Sequence, residues 1–294
     1  MSTPASQDPA AGDGPVQGSQ DLVQGSQGLS AGDGSVQIRY EPLGASEEDA
    51  GSALVITIDR PRARNAVDAA VAEGIAAAVD TLESDPALRV GVLTGAGGSF
   101  SAGMDLKAAA RGERMNIPGK GFAGLAEART TKPLIAAVEG FAMGGGFELA
   151  LACDLVVAAD GARFALPEVK RGLIAGGGGV LRLPRRVPYH LAMELLLTGR
   201  TVTAERAHAL GVVNQVTGDG QALATALELA TDVARNAPLA LAAVKEVVRQ
   251  ADGVPEPDAF AAQADAIGRL VRSEDFAEGV RAFGEKRAPR WSAR

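Results

Sequence analysis

Glu148 is the residue whose setting most constrains its chemistry. It lies in Gly140-Phe-Ala-Met-Gly-Gly-Gly-Phe-Glu-Leu-Ala-Leu-Ala-Cys-Asp154, where three consecutive glycines open a helical apolar pattern. Glycines let a ligand approach the backbone, and the free N–H groups of a helix's first turn, at the positive end of its dipole, stabilise developing negative charge. The stretch reads either as an anion hole with a proton-handling group beside it or as a glycine-rich turn before a buried helix. Glu168, in Phe164-Ala-Leu-Pro-Glu-Val169, is a second carboxylate in an apolar setting. A charged side chain on a buried face is costly unless it has a job or a partner. Two such groups with raised and divergent proton affinities suit water activation and proton delivery at neutral pH. Salt bridges to Arg163 or Arg171 are the competing structural explanation.

Other candidate motifs fall short of their chemistry. Thr94-Gly-Ala-Gly-Gly-Ser99 follows a strand pattern but does not complete G-x-G-x-x-G, and Gly112 to Gly121 holds a Gly-Lys pair without the spacing or the Ser/Thr of a P-loop. Gly176-Gly-Gly-Gly179 reads as a flexible loop or as a close approach to ligand. Ser101 lacks both the G-x-S-x-G order and a nearby histidine base. His190 and His208 sit in helical segments without ligand spacing, and Cys153 is the single cysteine, so no disulfide, zinc site or other metal is expected.

The elements that must position these groups follow from hydrophobic periodicity. Ala53–Ile58, Val90–Thr94, Leu134–Val138 and Leu155–Ala158 read as strands, with a helix over Ala69–Leu82 capped by Asp68. Strands alternating with helices imply an α/β layered core. Beyond about residue 188 the strand signal fades, and helices are expected over His190–Leu197, Ala204–Leu210, Leu223–Asn236, Leu239–Gln250 and Asp258–Arg272. Residues 1–35, rich in Gly, Ser, Gln, Asp and Ala, read as a disordered low-complexity tail.

Composition bounds the partners. A chain of 294 residues that is 46% hydrophobic can bury a large core, and its net charge of −7 with 4% aromatic residues argues against a nucleic-acid surface. No apolar run is long enough to cross a bilayer, and no signal-peptide pattern opens the chain, so a cytoplasmic protein with no membrane partner is expected. Any anionic ligand must then be met locally, and Arg60-Pro-Arg-Ala-Arg64 is one candidate cluster.

Taken in order, several motifs resemble the crotonase superfamily, and within it the enoyl-CoA hydratases. They are Arg60-Pro-Arg-Ala-Arg-Asn-Ala66, Gly98-Ser-Phe-Ser-Ala-Gly-Met-Asp-Leu106, Lys132-Pro-Leu-Ile-Ala-Ala-Val-Glu-Gly140 running into the glycine motif, Phe164-Ala-Leu-Pro-Glu168, Ala192 to Gly199, Ala207 to Val213, and Phe283-Gly-Glu-Lys-Arg287. The resemblance runs from about Val36 to Arg290. It implies a crotonase (ClpP-like) α/β fold: a repeated ββα superhelix core with the active site over 36–220, then a C-terminal helical region over 221–294 for trimerisation.

The resemblance also implies roles. Backbone N–H groups of Ala102 and Gly145 form an oxyanion hole for a thioester carbonyl, and Glu148 and Glu168 hold a water between them. Gly176 gives that water a further backbone donor. Arg62, Ala63, Arg64, Ala102, Met104, Asp105 and Leu106 lie against the CoA moiety, while Phe283 and Lys286 complete the CoA site of a neighbouring subunit. Coenzyme A is then part of the substrate, with no separate cofactor, and the assembly is a homotrimer or a dimer of trimers. The expected reaction is syn addition of water to a trans-2-enoyl-CoA. Isomerisation, dehydration of a specialised acyl-CoA such as a carnitinyl or steroid side-chain thioester, and a non-catalytic acyl-CoA-binding or RNA-binding relative are the alternatives. The run Ala175-Gly-Gly-Gly-Gly-Val180 departs from the superfamily's Pro-Gly-Ala-Gly-Gly-Thr turn, and Ala108–Gly121 departs from its usual acyl-pocket wall.

Overall fold

Strands that alternate apolar side chains on both faces need a covering layer on each side. The computed structural model describes residues 29–31, 34–44 and 51–294. Strands β1 to β4 are Leu29–Ala31, Val36–Pro42, Ser52–Ile58 and Leu88–Gly95; β5 and β6 are Asn116–Ile117 and Gly121–Phe122. Strands β7 to β10 are Leu134–Val138, Phe141–Met143, Leu155–Ala159 and Arg163–Ala165, and β11 and β12 are Val202–Thr203 and Gln215–Thr217. Helices α1 to α5 are Ala69–Ser84, Leu106–Ala110, Gly145–Ala152, Gly179–Arg186 and Tyr189–Thr198. Helices α6 to α10 are Ala204–Ala209, Ala222–Ala234, Pro238–Gln250, Glu256–Leu270 and Glu274–Glu285.

A large sheet runs β1-β2-β3-β4-β7-β9-β12, and a small one runs β11-β10-β8. From β3 to β12 the large sheet is parallel. One winding recurs: a large-sheet strand, a short crossing segment, then a helix. Strand β7 passes through β8 into α3, and β9 passes through β10 into the 3-10 turn Glu168–Arg171. Strand β4 does the same through Ser101, which bridges Ala142 of β8, into α2. This is the ββα superhelix that the resemblance implies. Its turns bring residues 64–67, 101–104, 141–145 and 163–168 side by side, although they are far apart in the chain.

Alternation assigns the two faces of the sheet. Leu93, Leu134, Ala136, Val138, Val156 and Ala158 enter the main core with α1 and the small sheet. Val90, Val92, Ile135, Ala137 and Val157 turn the other way, onto Ala222, Ala226, Ala230 and Ala234 of α7. That i, i+4 alanine stripe lets the helix lie close to the strands. Helix α7 therefore covers the core sheet, although the sequence reading grouped it with the assembly region. Lys245 on α8 ties the following helices down, its Nζ donating to Asp154 Oδ2 (2.6 Å), the Lys132 carbonyl (2.7 Å) and Thr130 Oγ1 (2.9 Å).

The structure corrects the sequence reading at two places. Leu29–Ala31, placed in the tail, pairs antiparallel with β2. Adding a strand to an open sheet edge rests on the backbone ladder, which a composition argument does not weigh. The rest of the tail assignment, apart from Gly34 and Ser35, lies outside the described residues. The strand signal also does not end at 188, because β11 and β12 close the small and large sheets. Among the described residues no helix is long and apolar enough to cross a membrane.

Where residues 101–104 pass 143–146, the backbones touch. A Cβ on Gly146 would meet the Ser101 carbonyl oxygen at 2.3 Å, and one on Gly103 would meet Gly145 N and the Met143 carbonyl oxygen at 2.6 Å each. The glycines of both motifs are the fit of one winding turn against the next. Gly146→Ala should cost about 1–3 kcal/mol by overpacking against backbone, measured by urea unfolding.

Candidate active site

The winding leaves a cavity of about 650 Å³ at the mouth of the small sheet, lined among others by Met104, Phe122, Gly145, Glu148, Glu168 and Gly176. Both carboxylates singled out from the sequence meet there. Phe147 and Phe164, with ring centroids 5.2 Å apart, lock α3 to β10 next to the two glutamates they precede in sequence.

Glu148 is 4% exposed. Its Oε1 accepts from the Gly179 N–H at 2.8 Å. Burial pushes its carboxyl up to about 7, opposed by hydrogen bonds from the Gly179 and Gly177 backbone, raised further by Glu168 and lowered by Arg182. Glu168 is half-buried, its Oε2 is buried with no hydrogen-bond partner, and burial raises its proton affinity too. Neither carboxylate forms a salt bridge among the described residues. Arg163 turns instead to the carbonyls of Asp160, Gly161 and Ala162, and Arg171 acts on Glu168 only through its charge. The ion-pair explanation for these glutamates is overturned.

The glycines fit around these groups. A Cβ on Gly144 would sit 3.1 Å from Glu168 Oε1, and one on Gly177 would sit 2.8 Å from Glu148 Oε2. Gly178, at φ +104, faces Arg182 Nη1 at 2.1 Å from its absent Cβ. Gly176 meets nothing closer than 3.9 Å, lines the cavity, and its N–H has no acceptor among the described residues. The loop is therefore a cradle for Glu148, with Gly176 left facing the cavity.

One assignment moves. The Ala102 N–H donates to the Arg64 carbonyl at 3.0 Å, so it is not free to stabilise a ligand oxygen. Two residues on, the Met104 N–H has no acceptor among the described residues, and neither does the Gly145 N–H at the start of α3. Both residues line the cavity, and Gly103 packs on Gly145 N between them. The free pair of donors is Met104 with Gly145. Motif reading places Met104 against CoA but not as a donor, because only the pairing with residues 64–67, Ala102 N–H on Arg64 and Asp105 N–H on Val67, reveals which N–H groups this segment has spent.

The other expected contacts divide. Arg64, Ala102, Met104 and Leu106 line the cavity, and Arg62 and Ala63 do not. Arg60 is structural, paired with Asp68 (2.9 Å) and Asp105 (3.2 Å). Asp105 caps α2 by accepting from Lys107 and Ala108, and those bonds with Arg60 hold its carboxyl below the usual range despite burial. Its side chain is thus spent on the fold rather than on ligand. Phe283, 88% exposed, and Lys286, which ends α10, lie on the C-terminal helices outside this cavity. Cys153, at the end of α3, is buried and its thiol is pushed up to about 12 by burial.

Residues 48–294 match the enoyl-CoA hydratase/isomerase family. The chain belongs to the enoyl-CoA hydratase/isomerase family. Among curated relatives, the carnitinyl-CoA dehydratase of Escherichia coli (strain K12) is 47% identical over 253 residues, covering 83% of this chain and 96% of the relative. Among solved structures, an enoyl-CoA hydratase from Mycobacterium tuberculosis H37Rv is 51% identical with a TM-score of 0.81, covering 86% of this chain and 99% of that one. A carnitinyl-CoA hydratase from Mycobacterium avium is 45% identical with a TM-score of 0.68, covering 88% and 99%. The crotonase fold and an acyl-CoA thioester substrate follow from this family membership.

Two measurements probe the cradle. The folded protein keeps the Glu148 proton up to about pH 7, whereas an unperturbed carboxyl releases it near 4.5, so the linked stability is full below 4.5 and is lost as pH rises through 7. Glu148→Gln should therefore gain roughly 2–3 kcal/mol at pH 8.5 over the parent, a gain that vanishes near pH 4.5 in urea titrations. Among neighbouring glycines, Gly176→Ala should stay within about 0.5 kcal/mol of the parent, while Gly178→Ala should lose about 1–3 kcal/mol through its positive φ and the Arg182 contact.

Proposed function

We propose that the protein is an acyl-CoA hydro-lyase that reversibly adds water across the 2,3 double bond of a trans-2-enoyl-CoA. The observation that carries this reading is the placement of two carboxylates without ion pairs, Glu148 buried and Glu168 half-buried, beside two unclaimed backbone N–H groups in one cavity. The thioester oxygen accepts from Met104 and Gly145, so the enolate charge that develops in the transition state meets fixed donors and the N-terminus of α3; losing one such donor typically costs about 2.7–4 kcal/mol of barrier. A water held by Glu148, Glu168 and the Gly176 N–H gives its hydroxyl to C3, and C2 receives a proton. Burial raises both carboxyls, and Glu168 further opposes ionisation of Glu148, so Glu148 is the member of the pair that keeps its proton up to about 7.

Arg64 at the cavity mouth meets the CoA phosphates, and the exposed Leu106 lies along the CoA moiety. The exposed apolar side chains of α8–α10, among them Val244, Val248, Phe276, Val280 and Phe283, favour a homotrimer or dimer of trimers in which Phe283 and Lys286 reach a neighbour's CoA site.

A second reading concerns the acyl group. Similarity to carnitinyl-CoA dehydratases supports dehydration of carnitinyl-CoA, whose trimethylammonium would meet Phe122 and Phe141, since aromatic faces attract quaternary cations. Turnover on crotonyl-CoA and on carnitinyl-CoA, followed by thioester absorbance, separates the two readings by their kcat/KM ratio. Glu148→Gln and Glu168→Gln should each lower kcat by roughly 10²–10⁴-fold on the preferred substrate. The parent's kcat should fall on the acid side as both carboxyls protonate and on the alkaline side, above about pH 7, as both ionise. Undiminished hydration or dehydration by either variant would remove the assignment.

A further inference from the structure

Arg182, on the first turn of α4, does not line the cavity, yet it is bound to the loop that does. Its Nη1 donates to the Gly177 carbonyl at 3.1 Å and its Nη2 donates to the Ala126 carbonyl. No carboxylate pairs with it within 4.0 Å among the described residues. Leaving a half-buried guanidinium without an ion pair is costly, and here burial depresses its basicity. Of the negative carboxylates around it, Glu148 acts most strongly, ahead of Glu127, with Arg185 opposing. Seen from Glu148, the charged groups that act on it are Glu168, from the 3-10 turn, and Arg182, from α4.

The two groups grip adjacent residues of one loop. Gly177 packs on Glu148 and Gly178 packs on Arg182, each too closely for a Cβ. The same loop places the Gly179 N–H on Glu148 Oε1. We propose that Arg182 is a positioning residue of the active site: it ties the glycine loop to the 121–128 segment and supplies the positive charge against which Glu148 ionises. A guanidinium suits both tasks because its planar fork reaches two carbonyls while staying charged, whereas lysine keeps the charge but not the fork, and glutamine keeps polarity without charge.

This inference rests on the proposed role of Glu148, and the test separates the two by reading stability without substrate. The stability gain of Glu148→Gln is measured by urea unfolding from pH 4.5 to 9.5 in the parent, Arg182→Gln and Arg182→Lys backgrounds, with kcat and KM measured alongside. Removing the charge makes ionisation of Glu148 harder, so in Arg182→Gln the pH midpoint of the gain should rise, by about half a unit for each unit gained by the folded carboxyl. In Arg182→Lys the midpoint should stay in place, while kcat falls roughly tenfold with KM little changed because the second carbonyl tie is lost. A midpoint unmoved in Arg182→Gln, or a parent-like kcat in Arg182→Lys, overturns the proposal. Should Arg182→Gln fail to fold, the Arg182→Lys pair of readings decides alone. Full turnover in Glu148→Gln would instead defeat the hydro-lyase reading and leave the stability result standing by itself.

Discussion

The structure depends on holding a carboxylate out of water without giving it an ion pair. Glu148 is nearly inaccessible, and what meets it is backbone: the N–H groups of Gly177 and Gly179, with a guanidinium set one residue behind them. An ion pair at contact distance would have fixed the carboxylate as a permanent anion. Backbone donors and a charge held at a distance leave it close to balance, which suits the proposed role of holding and releasing a proton. The glycine run follows from the same demand, because only backbone without side chains can come close enough on both sides.

The winding supplies the rest of the site at little extra expense of sequence. Each ββα turn ends where a crossing segment meets a helix, and successive turns stack these ends. The free N–H groups at Met104 and Gly145 belong to two such turns, and Glu168 opens the 3-10 turn of the next. The Phe147 and Phe164 rings fasten the turn bearing one glutamate to the turn bearing the other, so the spacing of the pair is a property of the core. The walls around it are different in kind: Leu106, Leu173 and Ile174 are exposed and border the cavity without filling the core.

Much of this was legible in the sequence, for identifiable reasons. Glu148 and Glu168 stood out because a carboxylate in an apolar pattern is costly, and the long strands and α1 announced themselves by period. The short crossing strands β8 and β10 did not, since three residues carry no period, although they place the chemistry. The motif points to Ala102 rather than Met104 because it does not say that the carbonyl of Arg64 consumes the Ala102 N–H. Asp105 was assigned to ligand although it caps a helix and pairs with Arg60. Helix α10 is hidden in the sequence because Gly279 and Gly284 interrupt its pattern, despite a capping Ser273 and an acidic first turn. Arg182 gave no signal at all, since an arginine beside Arg185 and Arg186 looks like a solvated helix end.

Helix α3 has chemistry at both ends, and its far end is deliberately inert. The sole sulfhydryl of the chain, Cys153, stops that helix, sealed in the core and held in its protonated form far above physiological pH. Only a thiolate attacks disulfides, and only an accessible one is attacked in turn. A protein that handles CoA thioesters meets CoA thiols and their disulfides, so a reactive cysteine would invite mixed-disulfide formation with CoA. With none on offer, shifts in the thiol balance of its surroundings leave the carboxyl on α3 undisturbed.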